Sequence, residues 1–170
     1  VIFPSDQVQI LAYNRVVKDL HGLQPDAFVA RVAQAFDVDE NGTPQPAAPG
    51  QFSMYLGGRW YGLKFTGDVT GADTDPTATL DVSVLQANLL EPILGIKDVR
   101  TDKRIDFVGG IRGPEELEKL INSGRAAVAF SLYPTTIDDL LRVSDKSGIM
   151  PPKSTWFEPK LRDGLLIHQI

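Results

Sequence analysis

Apolar and polar positions along the chain fall into alternating strand-like and helix-like runs. Val8 to Val17 is rich in β-branched and apolar residues and predicts a strand, interrupted by the polar pair Asn14-Arg15. Leu23-Gln24-Pro25-Asp26 looks like a helix start with proline in the first turn. Phe28, Val29, Val32, Ala33 and Phe36 then share one face, which predicts an amphipathic helix over 25–36. Residues 37–50 hold three prolines, two glycines and three acids and read as a loop. Phe52, Met54 and Leu56 alternate up to Gly57-Gly58, and Trp60 to Phe65 follows. This is a hairpin whose glycines tolerate the positive φ of a tight turn. After a second polar loop at 66–79, Val84, Leu85, Leu89 and Leu90 predict a helix over 80–94. Asp81 is its expected N-cap, and Pro92 argues against its last turn.

The C-terminal third is more regular. Ile105 to Val108 predicts a short strand closed by Gly109-Gly110. Gly113-Pro114-Glu115-Glu116 opens a helix with acids in its first turn, Leu117, Leu120 and Ile121 face inward, and Gly124 is its stop. Ala126 to Leu132 is an apolar run of strand length. Thr136-Ile137-Asp138-Asp139 resembles a capping box with Asp in the third place, ahead of a helix reaching towards Gly148. Leu165 to Ile167 predicts a closing strand. The expected fold is α+β (mixed α/β): a mixed sheet with a β-hairpin and a C-terminal βαβαβ-like half, helices packed on the sheet. One domain over 1–170 is expected, since a chain of 170 residues can bury a core without a staple.

Composition narrows the function classes. Hydrophobic residues are 42% and charged residues 23%, too apolar for a disordered chain. The net charge of −5 and the lack of a basic stripe oppose nucleic-acid binding. No apolar run approaches the ~20 residues of a membrane span. With no cysteine and only His21 and His168, thiolate chemistry and Cys- or His-based metal sites drop out. A cytoplasmic location is the expectation. Mg²⁺ stays open, because it needs only one or two carboxylates beside substrate phosphates. The opening Val1-Ile2-Phe3-Pro4, without an initiator Met, suggests the C-terminal fragment of a longer protein.

The densest polar cluster is Met150 to Gly164. It places Lys153, Ser154, Thr155, Glu158, Lys160 and Arg162 among three prolines and two aromatics. Lysine supplies a point charge, arginine a fork, and hydroxyls donate to phosphate oxygens, so the segment suits an anion. It is not a P-loop, because Pro151-Pro152 stands where the glycine run would be. A rigid surface loop with packed aromatics and solvated charges is the competing reading. Asn14-Arg15 reads either as a phosphate or carboxylate site or as an internal polar pair. Asp106, at a strand start, fits a base or metal ligand, or else a local pairing. Gly109 to Gly113 fits an anion cradle before a helix, opposed by the charge of Glu115 and Glu116.

Four stretches carry a family resemblance: AYNRVVKDL at 12–20, SVLQANLLEPILGI at 83–96, RIDFVGGI at 104–111 and MPPKSTWFEPKLRDGL at 150–165. They resemble a bacterial and archaeal family known as domain of unknown function 1015, of which this chain looks like the C-terminal part. The family is similar, at a distance, to free-serine kinases related to the chromosome-partitioning and sulfiredoxin-like fold. The resemblance implies ATP-dependent phosphorylation of free L-serine with Mg²⁺. By implication, Asn14, Arg15, Lys153, Ser154, Thr155, Lys160 and Arg162 would hold nucleotide phosphates or the substrate carboxylate. Asp106 and Glu158 are the candidates for a general base. The alternatives are a nucleotide- or metabolite-binding regulatory domain without catalysis, and a structural domain that forms homo-oligomers.

Overall fold

A computed structural model describes residues 7–69 and 75–160. Eight strands and four helices follow in order: β1 (Gln9–Leu11), β2 (Tyr13–Val17), α1 (Pro25–Val32), β3 (Phe36–Asp39), β4 (Gln51–Leu56), β5 (Arg59–Phe65), α2 (Asp81–Leu85), β6 (Ile105–Gly109), α3 (Gly113–Asn122), β7 (Val128–Leu132), α4 (Ile137–Asp145) and β8 (Trp156–Glu158). A π-helical turn, Gln86–Leu90, extends α2, and a 3-10 turn, Gly110–Arg112, precedes α3. The class is α+β, as the patterning implies.

Six strands form one open sheet in the order β3-β5-β4-β7-β2-β6, and β1 and β8 pair as a small second sheet. Among the described residues every pairing is antiparallel, where a mixed sheet was expected. The cause is β2. It lies between β6 and β7 and pairs antiparallel with both. Those two strands therefore run parallel without touching, and β6-α3-β7 is a βαβ unit split by an inserted strand. The predicted strand at 165–167 lies outside the described residues.

Strand alternation sorts side chains onto two faces. Val17, Met54, Leu56, Val128 and Phe130 point into the larger core, which α1, α2, the π-turn and α4 cover through Phe28, Val32, Leu85, Leu89 and Val143. Val16, Val108 and Ala129 point the other way and meet Leu117 of α3. Consecutive residues of β2 thus belong to different layers.

Three local expectations give way to the structure. Helix α1 stops at Val32, and Phe36 opens strand β3 beside Phe65. Phe36 and Val38 turn inward while Asp37 and Asp39 stay exposed, a period of two that the surrounding acids and prolines disguise as loop. Asp81 is no N-cap. Leu80 holds that position without a side-chain bond, and the Asp81 carboxylate instead accepts the Gly50 backbone N–H at 2.8 Å. Residues 156–158 are strand rather than loop, paired with Leu11, Ile10 and Gln9. The Thr136 capping box forms with both arms.

Candidate functional site

The strand break at Ala12 builds the site. Its carbonyl accepts the Gly110 N–H at 2.7 Å, which brings the end of β6 against the junction of β1 and β2. β8 pairs with β1 and carries Trp156 over the same point. The ring lies so close to Gly109 that a Cβ there would come within 2.6 Å of it. Tyr13 stands between, edge-on to Phe107 at 5.8 Å and to Trp156 at 5.2 Å.

Three cations surround these three aromatics. The Lys153 ammonium lies 5.4 Å from the Tyr13 ring centre and 3.4 Å from its hydroxyl. Lys160 sits 4.1 Å over Trp156, and the Arg15 guanidinium lies 5.6 Å from the Phe107 ring centre. Cation–ring contacts of this kind stabilise each charge by about 0.5–2 kcal/mol and hold it in place. Lys153 and Lys160 are exposed, whereas Arg15 is 2% exposed. Arg15 donates to the carbonyls of Tyr13 and Lys153, the latter at 3.1 Å. Burial pushes its guanidinium down to about 10, against the raising effect of Tyr13, so it stays charged at neutral pH. Among the described residues no carboxylate pairs with it.

The remaining sequence candidates divide cleanly. Ser154 is buried, and its carbonyl accepts the Thr135 hydroxyl at 2.8 Å, so the backbone anchors the loop beneath Lys153. Thr155 is half-buried next to it. Glu158 joins the cluster by accepting the Trp156 indole N–H at 2.6 Å. Asn14 does not join it. It faces the α3 side, where its Oδ1 accepts the Leu132 N–H at 3.1 Å. Asp106 lies on that same opposite face, exposed, its carboxylate taking the Phe107 N–H. Arg162 lies outside the described residues. The Gly109–Gly113 cradle is filled from within, because a Cβ on Gly113 would stand 2.3 Å from the Glu115 carboxylate.

Asn14 and Arg15 consequently open onto different cavities. One, of about 240 Å³, lies on the α3 side between Asn14, Gly110, Pro114 and Tyr133. The other, of about 170 Å³, lies on the α2 side. It joins Arg15 to Ser83 and Gln86 between the apolar walls of Val82, Leu90 and Val99, under Pro151 and Pro152. The patterning pointed to Arg15 but not to Ser83 or Gln86, whose polar character inside an apolar helix was the available signal.

This is an α+β open-sheet protein with a cation-and-aromatic cluster suited to an anion. The family described as "Protein of unknown function (DUF1015)" matches it over residues 1–83, and the resemblance read from the sequence holds there. That stretch includes the Tyr13-Asn14-Arg15 motif, while almost all of the other three motifs lies beyond it. No curated protein matches. Among solved structures the chain is similar to a free serine kinase in complex with AMP, at 14% identity and a TM-score of 0.52, covering 92% of this chain and 56% of that one. The E30A mutant of a free serine kinase in complex with ADP matches with 14% identity and a TM-score of 0.51, at 92% and 56% coverage. A conserved hypothetical protein from Pyrococcus furiosus matches at 14% and 0.52, covering 92% and 59%. At such identity the likeness is one of fold. The chain spans 56–59% of the length of these structures.

Proposed function

We propose that this chain is the phosphate- and substrate-holding part of an ATP-dependent small-molecule kinase that phosphorylates free L-serine. The observation that carries the reading is the grouping of Lys153, Lys160 and Arg15 around Tyr13, Phe107 and Trp156. It stands on a fold shared with free serine kinases in complex with AMP and ADP. Phosphoryl transfer needs placement and neutralisation of charge more than covalent help from the protein, and cations fixed on aromatic rings supply both.

The fit for a nucleotide is good and for a metal thin. Among the described residues there is no group of three or more metal-ligating side chains. Mg²⁺ would therefore come with the nucleotide phosphates, with Glu158 as the carboxylate nearest the cluster. Nor does the cluster offer a ready base. Glu158 is engaged by Trp156, and Asp106 faces away. That favours, as a second reading, a regulatory domain that binds a nucleotide or metabolite without turning it over.

The intact protein incubated with ATP, Mg²⁺ and L-serine is expected to form phosphoserine. Binding of ADP with no turnover of serine by any common nucleotide would leave the regulatory reading instead. Among the described residues no helix is long and apolar enough to cross a membrane.

A further inference from the structure

The carboxyl ends of β6 and β7 frame the cavity on the α3 side of the sheet. From β6 the chain passes to α3, which packs on that face through Leu117. From β7 it passes to α4, which packs on the opposite face through Val143. Connections that leave two strands of one direction for opposite faces open a crevice between them, and open α/β sheets bind ligands in such crevices. Here the start of β2, the strand inserted between the two, forms the floor.

Two polar side chains occupy that floor. Ser131 lies across from Asn14, one step beyond the paired Arg15 and Phe130. They are 3% and 4% exposed, and both line the cavity. The Leu132 N–H occupies Asn14 Oδ1, which leaves the Nδ2 donor for the cavity. Among the described residues neither that Nδ2 nor the Ser131 hydroxyl has a hydrogen-bond partner. Neither is sealed, since Gln86 Oε1 is the sole unpartnered side-chain atom without surface among the described residues. Buried amides and hydroxyls normally find partners, so two held open side by side call for a ligand.

The walls say which kind. No lining residue is charged. The Glu115 carboxylate folds back over Gly113 at the start of α3 and opposes an anion there. Pro46, Pro114, Pro134 and Tyr133 supply rigid, flat, largely apolar surface. The volume of about 240 Å³ lies below the roughly 300–1,000 Å³ of sites for larger ligands and suits a single ring system. A flat, uncharged ring with an acceptor beside a donor on one edge fits. The ring nitrogen and exocyclic amine of adenine make such an edge.

We propose that this cavity binds a nucleobase, adenine, its ring nitrogen accepting from Asn14 Nδ2 and its amine donating to the Ser131 hydroxyl. The assignment deepens the nucleotide reading above and rests on it for the choice of a base over other flat rings. Ala12 and Gly110 line the cavity, and their 2.7 Å contact abuts Tyr13 and the cation cluster. The base lies beside the phosphate-holding cations, in a part of the site that carries no charge.

The test is calorimetric titration of the intact protein with adenosine, ribose and tripolyphosphate, alongside NMR of the side-chain amides. The Asn14 amide signal is assigned through its own backbone, so no variant is needed to identify it. Adenosine should bind at least about tenfold more tightly than ribose and move the Asn14 signal more than tripolyphosphate does. Ser131→Ala should weaken adenosine about three- to tenfold and leave tripolyphosphate unchanged. Adenosine binding no tighter than ribose overturns the proposal, as does an unmoved Asn14 signal or a Ser131→Ala variant that binds adenosine like the parent. The signal in the unsubstituted protein decides the matter if Ser131→Ala does not fold. Adenosine seated at Asn14 with no binding of tripolyphosphate would remove the phosphate-holding reading and keep this pocket. Tripolyphosphate bound through the lysines with the Asn14 signal unmoved by adenosine would do the reverse.

Discussion

Asp81 shows how much one side chain depends on where its neighbours fold. Its carboxyl is pushed up to about 6, chiefly by burial, with Asp139 adding to the rise and the Gly50 N–H opposing it. A carboxyl raised on folding favours the protonated protein. The associated stability is present in full below the ordinary value of about 3.8 and is lost as pH climbs through about 6. Asp81→Asn removes the charge and keeps an oxygen for Gly50. The variant should be more stable than the parent at pH 7–8 by about 1–2 kcal/mol, after allowance for partial exposure. The gain should shrink towards zero below pH 4. Urea denaturation across that range checks it, and a variant less stable at pH 8 would show that the ionised carboxylate is the favoured form. Nothing in the sequence announced this, since an acid at the start of an apolar run looks like a cap. The partner lies 31 positions away in the chain, at the edge of a loop. Arg15 was easier to read, because an arginine in a β-branched run must either point out or find partners, and it finds two carbonyls.

The elements that build the site meet at a few tight points, and Gly109 is the tightest. Its backbone needs no glycine, with φ at −62°, yet there is no space for a methyl group against the Trp156 ring. Gly109→Ala should therefore act through contact alone. The ring cannot yield easily, being edge-on to Tyr13 and tied to Glu158, so β8 must lift away from β1. Overpacking of this sort costs about 1–3 kcal/mol. The emission of Trp156, read with Trp60→Phe to silence the other tryptophan, should move to longer wavelength as the ring becomes wet. An unchanged spectrum would mean that the strand accommodates the methyl group in place. Elements with strong local signals were legible: the hairpin, the capping box of α4, and α3 between Pro114 and Gly124. Those whose form depends on a distant partner were not. β8 is three residues in a proline-rich segment and exists because β1 offers an edge. The α2 helix passes into a π-turn for reasons that the spacing of Leu85, Leu89 and Leu90 does not reveal, since both helix types keep those residues buried.

At the scale of the whole molecule, the six-stranded sheet decides which candidate residues act together. Asn14 and Arg15 are neighbours in sequence and lie on opposite faces, so a motif that looks like one site is split between two layers. Conversely, Tyr13 and Lys153 are 140 positions apart and meet because β1 and β8 pair next to the Ala12 break. Chain spacing carries the alternation along β2. It does not carry the strand order, and only the order β7-β2-β6 puts Phe107 beside Arg15. The net charge of −5 opposes the approach of a nucleotide overall, so binding should depend on the local cations. Lys153→Ala and Lys160→Ala are each expected to weaken ADP binding about three- to tenfold, as loss of an exposed charge-assisted contact does. The losses should shrink as salt screens the site. Asp106→Asn, on the far face, should leave ADP affinity unchanged while removing the same magnitude of charge. Quenching of Trp156 by ADP at low and at physiological salt reads all three variants together. If Asp106→Asn changes affinity as much as the lysine variants do, the response reports overall charge and not a site. If the lysine variants bind like the parent, the nucleotide lies elsewhere, and the cation cluster serves only to fasten β8 to the sheet.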